Sequence, residues 1–233
     1  MQLDPNFLFS GVVQILILLL AISVHESAHA WTAWRSGDST AYDAGRVTLN
    51  PLRHIDPLGS LLLPAMLFVA GAPVFGWAKP TPVRVDKLRD PKRDHLLVTA
   101  AGPLSNVVLG LLALVALWVS LAVVGPDGRL TAQLILFRDL AGAQQSVHFP
   151  WLFALVHFAF LNGFLAVFNL LPIPPLDGGQ ITLNLLPPDW AAKYAAIRPY
   201  GFIIVLGLAM INALALLVVP VYALIAFVIH FHG

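Results

Sequence analysis

The chain has 233 residues, 58% of them hydrophobic and only 11% charged, where a soluble domain carries about 25% charged residues. That balance excludes an ordinary soluble fold and identifies a membrane protein. A formal net charge of +1 with no basic block sets nucleic acid aside as a partner, and the absence of cysteine leaves His, Asp and Glu as ligands for any transition metal.

Four stretches without Asp, Glu, Lys or Arg, at residues 5–24, 95–126, 140–176 and 199–233, are each long enough to cross a bilayer, which takes about 20 apolar residues. The first helix is predicted over about Asn6 to Arg35. No Lys or Arg precedes it and no small-residue cleavage site follows, so it reads as a retained helix rather than a signal peptide. Trp31 and Trp34 suit an interfacial belt at its end. At 1.5 Å per residue His25 lies about 15 Å inside Arg35, at membrane depth.

Beyond Ser36 the chain turns polar, and "AGRVTLN" has the β-branched character of a short strand. Residues 57–71 follow, in a run interrupted by Pro57, Pro64, Gly71, Pro73 and Gly76, and are predicted as a short or re-entrant helix. "VFGWAKPTPV" then reads as extended, because proline fixes its own φ and biases its predecessor toward β. The cleanest spanning helix is Leu96 to Val124, entered through "AAGPLSN", whose Ala100, Ala101, Gly102 and Ser105 offer a small-residue packing face. A polar connection at 125–147, with a short amphipathic helix near 130–140, leads to a third span from about Pro150 to Leu171. Pro172, Pro174 and Pro175 must break that helix. The last run, Pro199 to His232, is predicted as one helix kinked at Pro220 or as two shorter ones.

Three Lys or Arg fall in residues 35–56 and six in 79–93, against two in 125–147. The positive-inside rule therefore puts residues 36–94 in the cytoplasm and the N terminus outside, which requires 57–71 to dip rather than cross. The expected architecture is an all-α polytopic membrane protein in one membrane-embedded domain, residues 1–233. A helical core of about 6–186 carries a small membrane-associated β element, and a C-terminal helix occupies about 199–232.

The chemistry concentrates in "VHESAHAW", residues 24–31. His25 and His29 stand at i and i+4, so their rings share one helix face and can bind one metal ion, with Glu26 beside them. Ionisable residues in a spanning helix are functional by default because insertion disfavours them. Two histidines leave a catalytic zinc short of its usual three protein ligands. Candidates for the third are His54, Asp56, His95, His157, Asp177 and His230, of which Asp177 stands out at the point where the prolines unwind the third span.

"HESAHA", "NPLRHIDPLGS", "GWAKPTPV", "AAGPLSN" and "NLLPIPPLDGG", in that order, resemble the site-2 protease family of intramembrane zinc metalloproteases over roughly residues 20–180. The resemblance implies one zinc ion per chain held by His25, His29 and Asp177. It implies Glu26 as the residue that activates water and Asn169 as a polar group beside the reaction centre. It also implies that Gly76, Trp77, Ala78, Lys79 and Pro80 belong to a β element that pairs with an unwound substrate, the transmembrane segments of other proteins in the lipid bilayer. Neither an inserted PDZ-like domain nor a C-terminal cystathionine-synthase-like domain is found, which suggests a compact branch in a bacterial or archaeal cytoplasmic membrane. Two other readings remain: a catalytically silent scaffold that binds membrane helices, and a metal transporter, which would need ionisable residues on several helices at successive depths.

Overall fold

A computed structural model describes residues 5–71, 74 and 76–231. Helix α1 (Pro5–Arg35) leads through the short α2 (Thr40–Asp43) to a wide helical turn, Pro57–Leu62, continued by α3 (Leu63–Val69). Next come α4 (Pro91–Val124), α5 (Pro126–Leu136), α6 (Leu140–Ala143) and α7 (Phe149–Asn169). The chain ends with α8 (Asp177–Leu185), α9 (Pro188–Ala195), α10 (Gly201–Met210) and α11 (Ala215–His230). Among the described residues, four stretches are long and apolar enough to cross a membrane: Phe7–Arg35, Pro91–Val124, Phe149–Asn169 and Pro188–Met210. The protein is an all-α, multi-pass membrane protein.

Lipid on one side and protein on the other decide the sides of α1. Val12, Leu16 and Leu20, spaced by four residues, face outward, while Ile17, Leu18, Ala21 and Ile22 pack on Leu161 and Leu165 of α7. Leu117 and Leu121 of α4, Ile135 of α5, Phe153 of α7 and Ile225 of α11 make a second core. Lipid tails are as apolar as these side chains, so close packing rather than water exclusion holds spanning helices together. Small residues serve that end: a Cβ added at Gly110 of α4 would stand 3.6 Å from the amide nitrogen of Gly163 on α7.

Pro57–Val69 covers about 20 Å at 1.5 Å per residue, short of the roughly 30 Å hydrocarbon core. Phe68, near its far end, stacks on Phe7 of α1 with ring centroids 4.5 Å apart. The chain then returns to its start, where the Trp77 amide donates to Gly59 O at 3.2 Å and Ser60 Oγ donates to Trp77 O at 2.7 Å. The chain thus folds back onto the start of this segment.

Several expectations need correction. "AGRVTLN" forms no strand: His54 Nε2 bonds Thr48 O at 2.9 Å, a group a ladder would use, and the Arg46 side chain is buried and donates out of the segment to Arg53 O at 2.6 Å. The β element shrinks to one isolated antiparallel bridge, Ile55 with Ala78, and no sheet exists among the described residues. Pro80 and Pro82 lack the N–H groups a ladder requires. Helix α4 starts before Leu96, since Pro91 suits a first helical turn and Asp90 caps it by accepting from the Arg93 amide at 3.1 Å. The C-terminal run is two helices, as one of the two options had it, but the break lies at Asn212, whose φ is 58°, while Pro220 sits inside α11. Residue 232, expected to end that run, lies outside the described residues.

Asp38, just beyond α1, fastens the returning chain. Its buried carboxylate accepts from the Arg84 amide at 2.7 Å and the Thr40 amide at 3.0 Å. Burial pushes this carboxyl up, but the Arg84 amide, the Thr40 hydroxyl and amide and the Lys87 charge together hold it below its ordinary value. A depressed folded-state value contributes stability that is fully present above the unfolded value of about 3.9 and is lost as pH falls through the folded one. Asp38→Asn is expected to cost about 1.5–3 kcal/mol at neutral pH, the usual worth of hydrogen bonds to a charged group. Thermal unfolding of the detergent-solubilised protein across pH 2–7 checks this, because the variant should also lose part of the wild type's acid-side destabilisation.

Candidate metal centre

Helical spacing puts the His25 and His29 rings on one face of α1, edge to face with centroids 4.7 Å apart. The three prolines that end the third span turn the chain back so that α8 opens with Asp177 against them. Asp177 Oδ2 lies 3.1 Å from His25 Nε2 and 3.4 Å from His29 Nε2, and the two Nε2 atoms are 3.0 Å apart. Ligands about 2.0–2.1 Å from a tetrahedral zinc ion stand roughly 3.3 Å from one another. The triangle has the size of one metal ion's coordination face.

The donor chemistry points the same way. His29 Nδ1 lies 2.7 Å from Val98 O, and a carbonyl only accepts, so Nδ1 carries the hydrogen and Nε2 presents its lone pair. Asp177 Oδ2 is buried with no partner in hydrogen-bond geometry despite its short contacts to both rings. Lone pairs crowded together away from water repel one another, and a cation between them removes that repulsion. Among the described residues His25, His29 and Asp177 form the one cluster able to hold a metal ion.

Glycine makes the room. A Cβ added at Gly102 of α4 would collide with Nε2 of both His25 and His29, so only glycine lets α4 pass this close to the centre. The turn that carries Asp177 is equally tight: a Cβ on Gly178 would strike Leu170 O, and one on Gly179 the Pro174 backbone.

The other candidate ligands go elsewhere. Asp56 caps the Pro57–Leu62 turn through the Leu58 and Gly59 amides, His95 bonds Asn184, and His157 and His230 bond the carbonyls of Phe153 and Ala226. The side-chain amide of Asn169 donates to Leu165 O of its own helix at 3.0 Å. Glu26 is held: its Oε2 accepts from the Thr81 amide at 2.9 Å, and Thr81 Oγ1 donates to Glu26 O at 3.1 Å. Thr81 stands between two prolines, so its amide is the only backbone donor of residues 80–82 and it is aimed at the carboxylate.

Gly76 to Pro80 lie on the returning arm. The Trp77 and Lys79 amides donate to Gly59 O and His54 O, the latter at 2.9 Å, and their carbonyls accept from Ser60 Oγ and Arg46 Nη1. Alternate residues of an extended chain face opposite ways, which turns the N–H and C=O of Ala78 away from that arm.

Sequence reasoning missed Asn106, whose Oδ1 is 2.6 Å from His25 Nδ1, and Asn162 behind it. Both are fully buried. Their signal was present: an uncharged polar residue set alone within an apolar span needs a partner in the bundle.

Helices crossing a membrane around a two-histidine, one-aspartate centre define a polytopic membrane metalloprotein. The chain belongs to peptidase family M50, whose sequence profile matches residues 13–211, bearing out the resemblance to site-2 proteases. It is 38% identical over 194 residues to the protein named "Putative zinc metalloprotease YwhC" of Bacillus subtilis, covering 83% of this chain and 78% of that one. It is 32% identical to "Putative zinc metalloprotease Rip2" of Mycolicibacterium smegmatis, over 84% of this chain and 66% of that one, and 32% identical to Rip2 of Mycobacterium tuberculosis over 86% and 69%. No solved structure matches it. Zinc is the metal that the family and the donor set imply.

Gly102→Ala is expected to leave a helical protein that elutes normally in detergent but carries almost no zinc. Elemental analysis beside circular dichroism checks this.

Proposed function

We propose that the chain is an endopeptidase that hydrolyses peptide bonds within or near transmembrane segments of other membrane proteins. The observation that carries this reading is the meeting of His25, His29 and Asp177 next to a restrained Glu26, inside apolar helices. Zinc held by His25, His29 and Asp177 would supply a Lewis acid that polarises the scissile carbonyl and lowers the pKa of water toward about 7.

The chain's own residues do the rest. Glu26 takes the proton of the attacking water and returns it to the leaving amine. The Thr81 amide and hydroxyl hold Glu26 in place, the amide donating to its Oε2 and so aiming the carboxylate. Asn169 swings from Leu165 O to donate to the oxygen on which negative charge builds, a contact whose loss typically costs about 10²- to 10³-fold.

A peptide bond in a helix is shielded and its carbonyl is occupied, so the substrate must unwind first. Ala78 offers the outward N–H and C=O to which an extended substrate can pair, as in strand addition. Pro80 contributes only a carbonyl, which limits that edge to a short register. The concentration of Lys and Arg between residues 35 and 93 supports a cytoplasmic position for residues 36–94 in a bacterial or archaeal cell membrane.

Purified protein tests the reading with a model transmembrane substrate carrying a helix-breaking pair. Wild type should hold about one zinc and cut. Glu26→Gln should keep the metal and stop cutting, and Asp177→Ala should lose both. A Glu26→Gln protein that cuts as fast as wild type defeats the mechanism. Asn169→Ala should keep its zinc while kcat falls about 10²- to 10³-fold, with KM changing little.

A further inference from the structure

His25 has two ring nitrogens, and only one of them faces the metal position. The other, Nδ1, lies 2.6 Å from Asn106 Oδ1. Asn106 Nδ2 lies 2.9 Å from Asn162 Oδ1, and Asn162 Nδ2 lies 2.9 Å from the Phe158 carbonyl of α7. Asn106 and Asn162 are both 0% exposed.

The direction of every hydrogen bond in this chain follows from its far end. The Phe158 carbonyl can only accept, so the Asn162 group facing it must be the NH2. Asn162 Oδ1 then faces Asn106, whose facing group must in turn be NH2, and Ala21 O at 3.4 Å from the same nitrogen agrees. Asn106 is left to present its oxygen to His25, so His25 Nδ1 must carry the hydrogen. His25 Nε2 therefore offers its lone pair.

We propose that Asn106, oriented by Asn162, is a positioning residue for zinc: it fixes the tautomer and ring angle of His25, so that Nε2 is ready for the ion before the ion arrives. This rests on the reading of His25, His29 and Asp177 as the zinc site. His29 reaches the same state by a simpler route, its Nδ1 on the Val98 carbonyl. Side chains must do for His25 what backbone does for His29. A side-chain amide brings its own acceptor and can itself be anchored, as Asn106 is by Asn162. Such outer partners of ligating histidines typically hold about 10- to 100-fold in metal affinity.

The test is zinc affinity of detergent-purified protein, measured by competition with a chromophoric chelator, with the visible spectrum of the cobalt-substituted form as a second readout. Asn106→Leu conserves volume and removes the acceptor. It should weaken zinc about 10- to 100-fold and alter the tetrahedral cobalt bands. Asn106→Asp keeps an oxygen for His25 Nδ1–H and should recover most of that loss, whereas a role confined to packing predicts the opposite order. Asn162→Ala, a milder change that frees the Asn106 amide to rotate, should show a smaller loss of affinity in the same direction.

Wild-type affinity in Asn106→Leu, equal losses in the Leu and Asp variants, or no change in Asn162→Ala would each overturn the positioning role while leaving the metal site intact. A wild type that binds no zinc would overturn the site and this inference with it.

Discussion

A hydrogen-bonding group inside a bilayer has no water to fall back on, and this constraint shapes the whole protein. Each polar side chain that the chemistry requires must be answered by another group of the same chain, and that group must be answered in turn. His29 is closed in one step by the Val98 carbonyl, and His25 in three, ending at Phe158 O. Ser23, Thr99, His157, Asn169 and Thr182 bond to carbonyls of their own helices. The atoms at the centre that these answers leave over are His25 Nε2, His29 Nε2 and Asp177 Oδ2. A cation completes the set.

The same constraint explains why α4 is the most burdened helix. It must answer both histidines, through Asn106 and Val98, and still pass close enough to α1 to leave room for an ion. Gly102 provides the approach, and Pro103 follows it inside the helix without ending it. A proline there frees a backbone carbonyl, which neighbouring helices can satisfy in a bundle but which would be costly in a lone span. The "AAGPLSN" stretch is thus a ledge cut for the metal centre, with small residues first and the anchoring amide last.

How much of this was legible beforehand follows from how local each feature is. The paired histidines, the spans and the proline break at residues 172–175 depend on near neighbours in sequence, so spacing alone revealed them. Asp177 stood out among six candidates by its place at the proline break, but only a family pattern named it a ligand, because its meeting with α1 depends on the course of some 150 intervening residues. The strand expected at "AGRVTLN" failed for a related reason. Propensity describes a segment, but His54, brought in by the fold, claims the Thr48 carbonyl, and the segment's own Arg46 turns inward to Arg53 O. Asn106 and Asn162 could be recognised as needing partners, but not which partners, since only the packing of α1, α4 and α7 decides that.

The returning arm shows the constraint acting on backbone rather than side chains. Non-helical chain in a membrane bundle survives only where protein or a water-filled cavity meets it, and residues 77–81 divide their groups accordingly. The Trp77 and Lys79 amides donate to Gly59 O and His54 O, their carbonyls accept from Ser60 and Arg46, and the Thr81 amide donates to Glu26. In the proposed reaction a substrate strand lies along Ala78, three residues from the amide that aims the general base. Edge and base therefore belong to one rigid element. A substrate that shifted this arm would shift the Glu26 carboxylate with it, so correct pairing and correct alignment of the base would be one event.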